Sequence, residues 1–214
     1  MKLNQNQIIL FQGDSITDCG RNREAESLPN DNGALGCGYP GKIAGGLLAD
    51  SPALNLRIFN RGISGNRVVD LYARWKADGV NLKPDLVSIL IGVNDTWHEF
   101  GGRNGVELDR FEQVYRMLLD YTREKAPEAQ LVLCEPFTLP CGVITPDWEA
   151  DIRGRQEIVA RLASEFGALL VPFQEMFNVA QKEAAPDYWA MDGVHPTPAG
   201  HERMARFWRA SVGI

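Results

Sequence analysis

Short apolar runs alternate with longer amphipathic stretches along this chain. Four apolar runs, at 8–11, 56–59, 86–91 and 131–134, are typical of buried strands, and a fifth follows at 168–171. The clearest amphipathic stretch is 108–125, where apolar side chains recur at helical spacing. Strands and helices that alternate in this way predict an α/β fold, in which helices cover both faces of a mainly parallel five-stranded sheet.

Glycine and polar residues directly follow four of the predicted strands. The segments are 13–15 (Gly-Asp-Ser), 62–66 (Gly-Ile-Ser-Gly-Asn), 92–95 (Gly-Val-Asn-Asp) and 135–136 (Glu-Pro). Ligands of parallel sheets bind beyond the carboxyl ends of the strands. We therefore expect these segments to lie around one site.

Composition and charge narrow the classes of function. The 214 residues are 44% hydrophobic and 23% charged, and no low-complexity linker divides them, which predicts one domain over 1–214. The 22 Lys and Arg residues against 28 Asp and Glu residues give a net charge of −6. No basic stripe is present, so nucleic acid is not an expected partner.

The same survey indicates a compartment. No run approaches the roughly 18 apolar residues of a membrane span, and residues 1–7 are polar, so we expect a cytoplasmic protein that does not engage membranes. The four cysteines, Cys19, Cys37, Cys134 and Cys141, are scattered and are expected to be free thiols.

One of the three histidines has an acidic neighbour at a useful spacing. Asp192 precedes His195 by three residues with Gly193 between them, so one short turn can present the carboxylate to the imidazole. Such a pair suits a general base and the residue that orients it, although alone it is more typical of a structural salt bridge or a turn cap. His201 lies in a predicted final helix and is expected at the surface. No metal is expected, because no further His or Cys lies at the spacings of zinc sites.

Ser15 is the candidate nucleophile for that base. A predicted strand stops at Gly13, where a small residue allows a sharp turn beneath the serine. The segment is also typical of a helix N-cap, and the two roles are compatible, because the backbone N–H of a serine at a helix start can face an oxyanion. Gly65, through its backbone, and Asn94, through its amide, are candidate further donors, although each alone is more typical of a turn.

Taken together, the segments resemble the sequence blocks of the SGNH hydrolase superfamily, the GDSL esterases. The matching blocks are 13–17, with Ile16 in place of the usual leucine, then Gly65, then 92–95, and last 192–196. The order of the blocks is specific, and the resemblance spans nearly the whole chain.

The resemblance implies a flavodoxin-like three-layer α/β/α sandwich and catalysis without a cofactor. It further implies that Ser15 is the nucleophile and that Asp192 and His195 complete a catalytic triad. Gly65, Asn94 and the Ser15 N–H would form the oxyanion hole.

Segments 15–21, 62–66, 73–75, 91–97 and 194–201 resemble more closely the intracellular acetylxylan esterases of this superfamily. This resemblance implies two-step acyl transfer that removes acetyl groups from partly acetylated xylo-oligosaccharides. Several enzymes of the superfamily assemble as oligomers, so a homo-oligomer is expected. Trp97 and Trp189 flank the predicted site and are candidate sugar-stacking residues, and Asp14 is a further candidate substrate-binding residue.

Two alternatives stay open at this stage. A lysophospholipase or thioesterase of the same superfamily would need an apolar acyl groove. A non-catalytic flavodoxin-like binding protein would hold a phosphate or a nucleotide at the strand ends, but no glycine-rich phosphate loop is present.

Overall fold

A sheet of five parallel strands forms the centre of the computed structural model, which describes residues 1–214. The strands are β1 (Ile8–Gly13), β2 (Arg57–Asn60), β3 (Leu86–Leu90), β4 (Gln130–Cys134) and β5 (Leu169–Val171). Each strand overlaps one of the predicted apolar runs, so the five predicted strands are confirmed. Every residue of β3 is buried, as expected for a central strand covered on both faces.

Ten α-helices connect and cover the strands. They are α1 (Ser15–Asp18), α2 (Asn32–Leu35), α3 (Tyr39–Asp50), α4 (Val68–Asp78), α5 (Val93–Gly102), α6 (Leu108–Lys125), α7 (Pro146–Glu165), α8 (Phe173–Ala180), α9 (Pro186–Trp189) and α10 (Pro198–Val212). Three short 3-10 turns lie at Arg23–Ala25, Pro52–Leu54 and Val80–Leu82. None of the helices has both the length and the apolar character needed to span a membrane.

The strand order is β2-β1-β3-β4-β5, which is the flavodoxin-like order. Ile9 of β1 pairs with Ile58 on one side and with Leu86 on the other. The chain first moves outward from β1 to β2 and then crosses back to β3. The carboxyl ends of β1 and β3 therefore flank the switch point at which ligands of such sheets bind.

Alternate strand residues enter two separate cores. Ile9 and Phe11 belong to the core beneath α3, α8 and α10, whereas Leu10 belongs to the core beneath α4 and α6. Each core also buries a tryptophan whose indole N–H has a hydrogen-bond acceptor. Trp208 donates to the Ser88 hydroxyl at 3.0 Å, and Trp75 has an equivalent partner on α6. These bonds matter because a buried N–H without a partner costs about 1–3 kcal/mol.

Candidate active site

Ser15 is the first residue of α1, directly beyond the carboxyl end of β1. Strand and helix approach so closely that a Cβ at Gly13 would lie 2.3 Å from the Leu90 carbonyl oxygen and 2.4 Å from the Thr17 hydroxyl. Only glycine fits there without displacing backbone. Asp14 caps the helix by accepting the Ile16 N–H at 3.0 Å. This local structure leaves the Ser15 side chain half-buried at the end of the sheet.

A continuous chain of hydrogen bonds joins Ser15, His195 and Asp192. The Ser15 hydroxyl lies 2.9 Å from Nε2 of His195, and Nδ1 of the same ring lies 2.6 Å from Oδ2 of Asp192. The other carboxylate oxygen accepts the backbone N–H of His195 at 2.7 Å and that of Val194 at 2.9 Å. The turn thus holds the carboxylate through one oxygen and presents the second oxygen to the imidazole.

The loop that carries this pair is packed against a second loop, 139–144. Val143 N–H donates to the Asp192 carbonyl oxygen at 3.2 Å, and Leu139 N–H donates to the Gly193 carbonyl oxygen at 2.8 Å. Gly193 has φ +84°, and a Cβ there would lie 2.5 Å from Ile144 Cγ1. Glycine is required for both reasons.

Asp192 carries a stable negative charge. Burial of the carboxylate opposes its ionisation, but hydrogen bonds from the His195 ring and from two backbone N–H groups outweigh that effect. They hold the pKa of Asp192 below its ordinary 3.8. The carboxylate is therefore ionised at neutral pH and can stabilise an imidazolium at His195.

The segment around Gly65 ties α1 to α5. Ser64 donates its backbone N–H and its hydroxyl to Oδ2 of Asp18, the last residue of α1, at 2.9 and 2.7 Å. On the other side of Gly65, the Asn66 carbonyl oxygen accepts one N–H of the Asn94 amide at 3.1 Å. This bond fixes the orientation of the Asn94 amide and leaves its second N–H for a ligand.

Asp18, which the sequence interpretation did not single out, anchors the segment around Gly65 through its hydrogen bonds with Ser64. Burial opposes its ionisation, but hydrogen bonds from Arg23 and Ser64 lower its pKa. Arg21 lies 3.3 Å away and also donates to the Gly62 carbonyl oxygen at 2.8 Å. The sequence signal that could have identified Asp18 is its position in the 15–21 segment, which resembles the acetylxylan esterases.

Asp14 and Trp189 are buried, which contradicts the expectation that they bind substrate. Asp14 is 1% exposed, and burial raises its pKa to about 7. Its Oδ2 lies in the interior without a hydrogen-bond partner. Trp189 is 7% exposed, and its indole N–H donates to the Ala180 carbonyl oxygen at 3.1 Å. The aspartate caps α1, and the tryptophan belongs to the core.

Trp97 does lie beside the site, together with two aromatic residues that the sequence interpretation missed. The centroid of its ring is 5.7 Å from that of His195 and 5.3 Å from that of Trp148. Phe100, which is 48% exposed, stacks on Trp148 at 5.6 Å. Phe100 follows Trp97 by one helical turn on α5, which was a usable signal, whereas Trp148 comes from α7. We call Trp97, Phe100 and Trp148 the aromatic wall.

Two further expectations have different outcomes. His201 is not at the surface, because it is 4% exposed and its Nδ1 accepts the Tyr39 N–H at 3.1 Å. Burial lowers the pKa of this histidine to about 4.

The segment 135–136 follows β4, as predicted. However, the Pro136 carbonyl oxygen accepts a hydrogen bond from Gln156, and no hydrogen bond joins the segment to Ser15, His195 or Asp192.

Comparison with known proteins agrees with this fold and identifies the family. The model of the GDSL-like Lipase/Acylhydrolase family matches residues 11–203. An acetylxylan esterase of Geobacillus stearothermophilus is 40% identical over 220 aligned positions, which cover 100% of this chain and 97% of that protein.

Solved structures show the same similarity. A GDSL-like lipase from Parabacteroides merdae superposes with a TM-score of 0.95 at 43% identity, covering 99% of this chain and 98% of that one. Axe2, an acetylxylan esterase from Geobacillus stearothermophilus, superposes with a TM-score of 0.91 at 38% identity, covering 100% and 97%. Structures of Axe2 include catalytic mutants in which a serine, a histidine or an aspartate is replaced by alanine.

The chain belongs to the GDSL-like lipase/acylhydrolase (SGNH) family, and it is an esterase of that family. Among the members compared, it is similar along its full length to acetylxylan esterases.

Proposed function

We propose that this esterase removes acetyl groups from partly acetylated xylo-oligosaccharides and that Ser15, His195 and Asp192 are its catalytic triad. The observation that carries the proposal is the chain of hydrogen bonds from the Ser15 hydroxyl through both ring nitrogens of His195 to the Asp192 carboxylate. A serine hydroxyl is a weak nucleophile until a base takes its proton, and this arrangement supplies an oriented base.

The geometry supports a two-step acyl transfer. Because the Asp192 carboxylate accepts the proton on Nδ1, Nε2 of His195 carries a lone pair toward the Ser15 hydroxyl. His195 removes the hydroxyl proton as Oγ attacks the acetyl carbonyl carbon, and it then protonates the departing sugar oxygen. Water attacks the acetyl-serine in the second step, with His195 again as the base, and releases acetate.

The oxyanion of each tetrahedral intermediate needs fixed donors. In our proposal these are the N–H groups of Ser15 and Gly65 and the free amide N–H of Asn94. The hydrogen bonds of Ser64 to Asp18 and of Asn94 to Asn66 support this assignment, because they hold the donor groups in place before substrate arrives.

The surroundings of the triad favour a small acyl group on a large alcohol. The side chains of His195 and Asp192 are 45% and 35% exposed, so the site is open. A long acyl chain needs an enclosed apolar groove, whereas an acetylated sugar needs a small acyl site and an exposed surface for its rings. Trp97 of the aromatic wall lies beside His195, and the exposed Phe100 stacks on Trp148 in the same wall, so the wall offers ring surface on which a sugar can stack. The similarity to acetylxylan esterases points to the same substrate class.

A series of p-nitrophenyl esters from acetate to octanoate tests the acyl preference, and acetate release from acetylated xylo-oligosaccharides tests the alcohol. We expect kcat/KM to be highest for acetate and to fall at least about tenfold by butyrate, and we expect Ser15→Ala to abolish turnover. Ser164→Ala, at an exposed serine of α7, is the matched control and should leave turnover unchanged. A preference for long acyl chains would replace this proposal with a lysophospholipase or thioesterase.

We further propose that the enzyme is cytoplasmic and that it forms a homo-oligomer. All four cysteines are free thiols, which suits a reducing compartment. The oligomer remains a prediction from the family resemblance. Light scattering on the purified protein measures it directly, and a mass of one chain would remove it.

A further inference from the structure

Two thiols that the triad does not use meet beside α1. The Sγ atoms of Cys19 and Cys37 are 3.6 Å apart, although the two residues are 18 positions apart in sequence. Cys37 is exposed and Cys19 is half-buried. We infer that Cys19 and Cys37 form a redox modification site, at which low-molecular-weight disulfides introduce an intramolecular disulfide bond. This inference does not depend on the proposed substrate.

The backbone, rather than side-chain flexibility, brings the two thiols together. Cys37 donates its N–H to the Cys19 carbonyl oxygen at 2.9 Å. Glycines on both segments allow the close approach, since a Cβ at Gly38 would lie 2.8 Å from the Cβ of Cys19, and one at Gly20 would lie 3.0 Å from the Sγ of Cys37. The sulfur atoms need to approach by about 1.5 Å to reach the roughly 2.05 Å of a disulfide bond.

The other two cysteines lack this arrangement. Cys134 is fully buried at the end of β4, where its Sγ lies 3.6 Å from the Ser88 hydroxyl. Cys141 donates its thiol to the Ala190 carbonyl oxygen at 3.2 Å. In the pair Cys19 and Cys37, by contrast, the second thiol lies close enough to react with the first once the first is oxidised.

The environments of the two thiols give each a role. Burial raises the pKa of Cys19 to about 11, and both its hydrogen bond with Cys37 and the charge of Asp18 act in the same direction. The exposed Cys37 is thus the thiol that meets an oxidant, and Cys19 is the one that completes the reaction.

The reaction balances with one disulfide oxidant. The Cys37 thiolate attacks one sulfur of the small disulfide, forms a mixed disulfide and expels one small thiolate. Cys19, on losing its proton, attacks the Sγ of Cys37 and expels the second small thiolate. The protein loses two protons and two electrons, and the small disulfide takes up both to become two thiols.

The new bond would hold the end of α1 to the segment before α3. Cys19 directly follows α1 and donates its N–H to the Ser15 carbonyl oxygen at 3.0 Å. Closing a loop of this length restricts the unfolded chain, so we expect the melting temperature to rise by about 6 °C or more in the oxidised protein.

Treating the full-length protein with oxidised glutathione, then measuring intact mass and mapping peptides, tests the inference. We expect loss of two hydrogens and one cross-linked peptide pair that contains Cys19 and Cys37, with return to the starting mass after reduction. Cys141→Ser should still form this link, and Cys37→Ser should not form it while keeping full ester turnover. A stable glutathione adduct on Cys37 beside a free Cys19, a link to Cys141, or no reaction would each overturn the inference. Cys37→Ala provides a second variant if the serine substitution unfolds the chain.

Discussion

The proposed role of Asp192 in orienting His195 can be tested directly, because an asparagine at this position cannot make all the hydrogen bonds that the carboxylate makes. One carboxylate oxygen accepts two backbone N–H groups, at 2.7 and 2.9 Å, and the other accepts Nδ1 of His195 at 2.6 Å. In Asp192→Asn the single amide oxygen is expected to stay with the two backbone donors, so the NH₂ group faces Nδ1. The ring then carries its proton on Nε2 and cannot accept the proton of Ser15.

The size of the effect follows from these contacts. A flip of the introduced asparagine amide would restore the active tautomer of His195, but it would turn the NH₂ group toward the two backbone N–H donors. The two lost hydrogen bonds cost about 1–3 kcal/mol, at about 0.5–1.5 kcal/mol for each. Losing the negative charge beside an imidazolium adds about 4 kcal/mol, for charge centres about 4 Å apart at an effective dielectric constant of about 20. Because the two side chains are 45% and 35% exposed, we reduce that second contribution to about 2 kcal/mol. The sum, about 3–5 kcal/mol, predicts a fall in kcat of about 10² to 10⁴, and this substitution in a triad of this kind lowers kcat by about 10⁴.

The assay is hydrolysis of p-nitrophenyl acetate at neutral pH, with circular dichroism and thermal unfolding of each variant. Asp187→Asn is the matched control, because Asp187 is exposed, lies in the same part of the chain and makes no hydrogen bond to the triad. It should keep the wild-type kcat. If folded Asp192→Asn retained more than about a tenth of the wild-type kcat, Asp192 would not orient the catalytic base.

Three further predictions follow from other parts of the site. Asn94→Ala should lower kcat by about 10² to 10³ with KM nearly unchanged, because the amide would bind the oxyanion only in the transition state. Asn22→Ala, which removes the hydrogen bond that an exposed asparagine accepts from the Glu24 N–H, should change stability alone, and an equal effect of both variants on kcat would contradict the role of Asn94. Gly193→Ala should lower kcat at least about tenfold, because the Cβ of the alanine would clash with Ile144 and shift the turn that carries His195. Wild-type kinetics would show that the turn tolerates the change. Asp14 has a folded-state pKa of about 7 against 3.8, so its contribution to stability is full below about pH 4 and is lost as the pH rises through about 7. The melting temperature of Asp14→Asn should therefore gain on that of the wild type as the pH rises from about 4 to 7, and a constant difference would exclude a buried, protonated Asp14.

The strand positions and the segments that follow them were predictable because they depend on local signals. A run such as 86–91 must be buried whatever surrounds it, and glycine at Gly13 indicates a sharp end to a strand. The Asp192 and His195 pair was predictable for a similar reason, since one turn of four residues holds both groups. Parallel strands then bring their carboxyl ends to one edge of the sheet, so the segments of Ser15, Gly65 and Asn94 were expected to meet there.

The tertiary structure alone decided which side chains near the site face solvent. The sequence next to Trp189 and Asp14 does not distinguish them from exposed residues, yet contacts with distant segments bury both side chains. Trp148 on α7 contacts Trp97, and Cys37 contacts Cys19 although the two are 18 positions apart in sequence. Hydrophobic periodicity reports the direction of a side chain relative to its own helix or strand, whereas burial and partners depend on elements that arrive from elsewhere in the chain. The sequence by itself therefore determined the order of strands and helices and the residue types available for chemistry, and the packing of remote segments determined which of them touch.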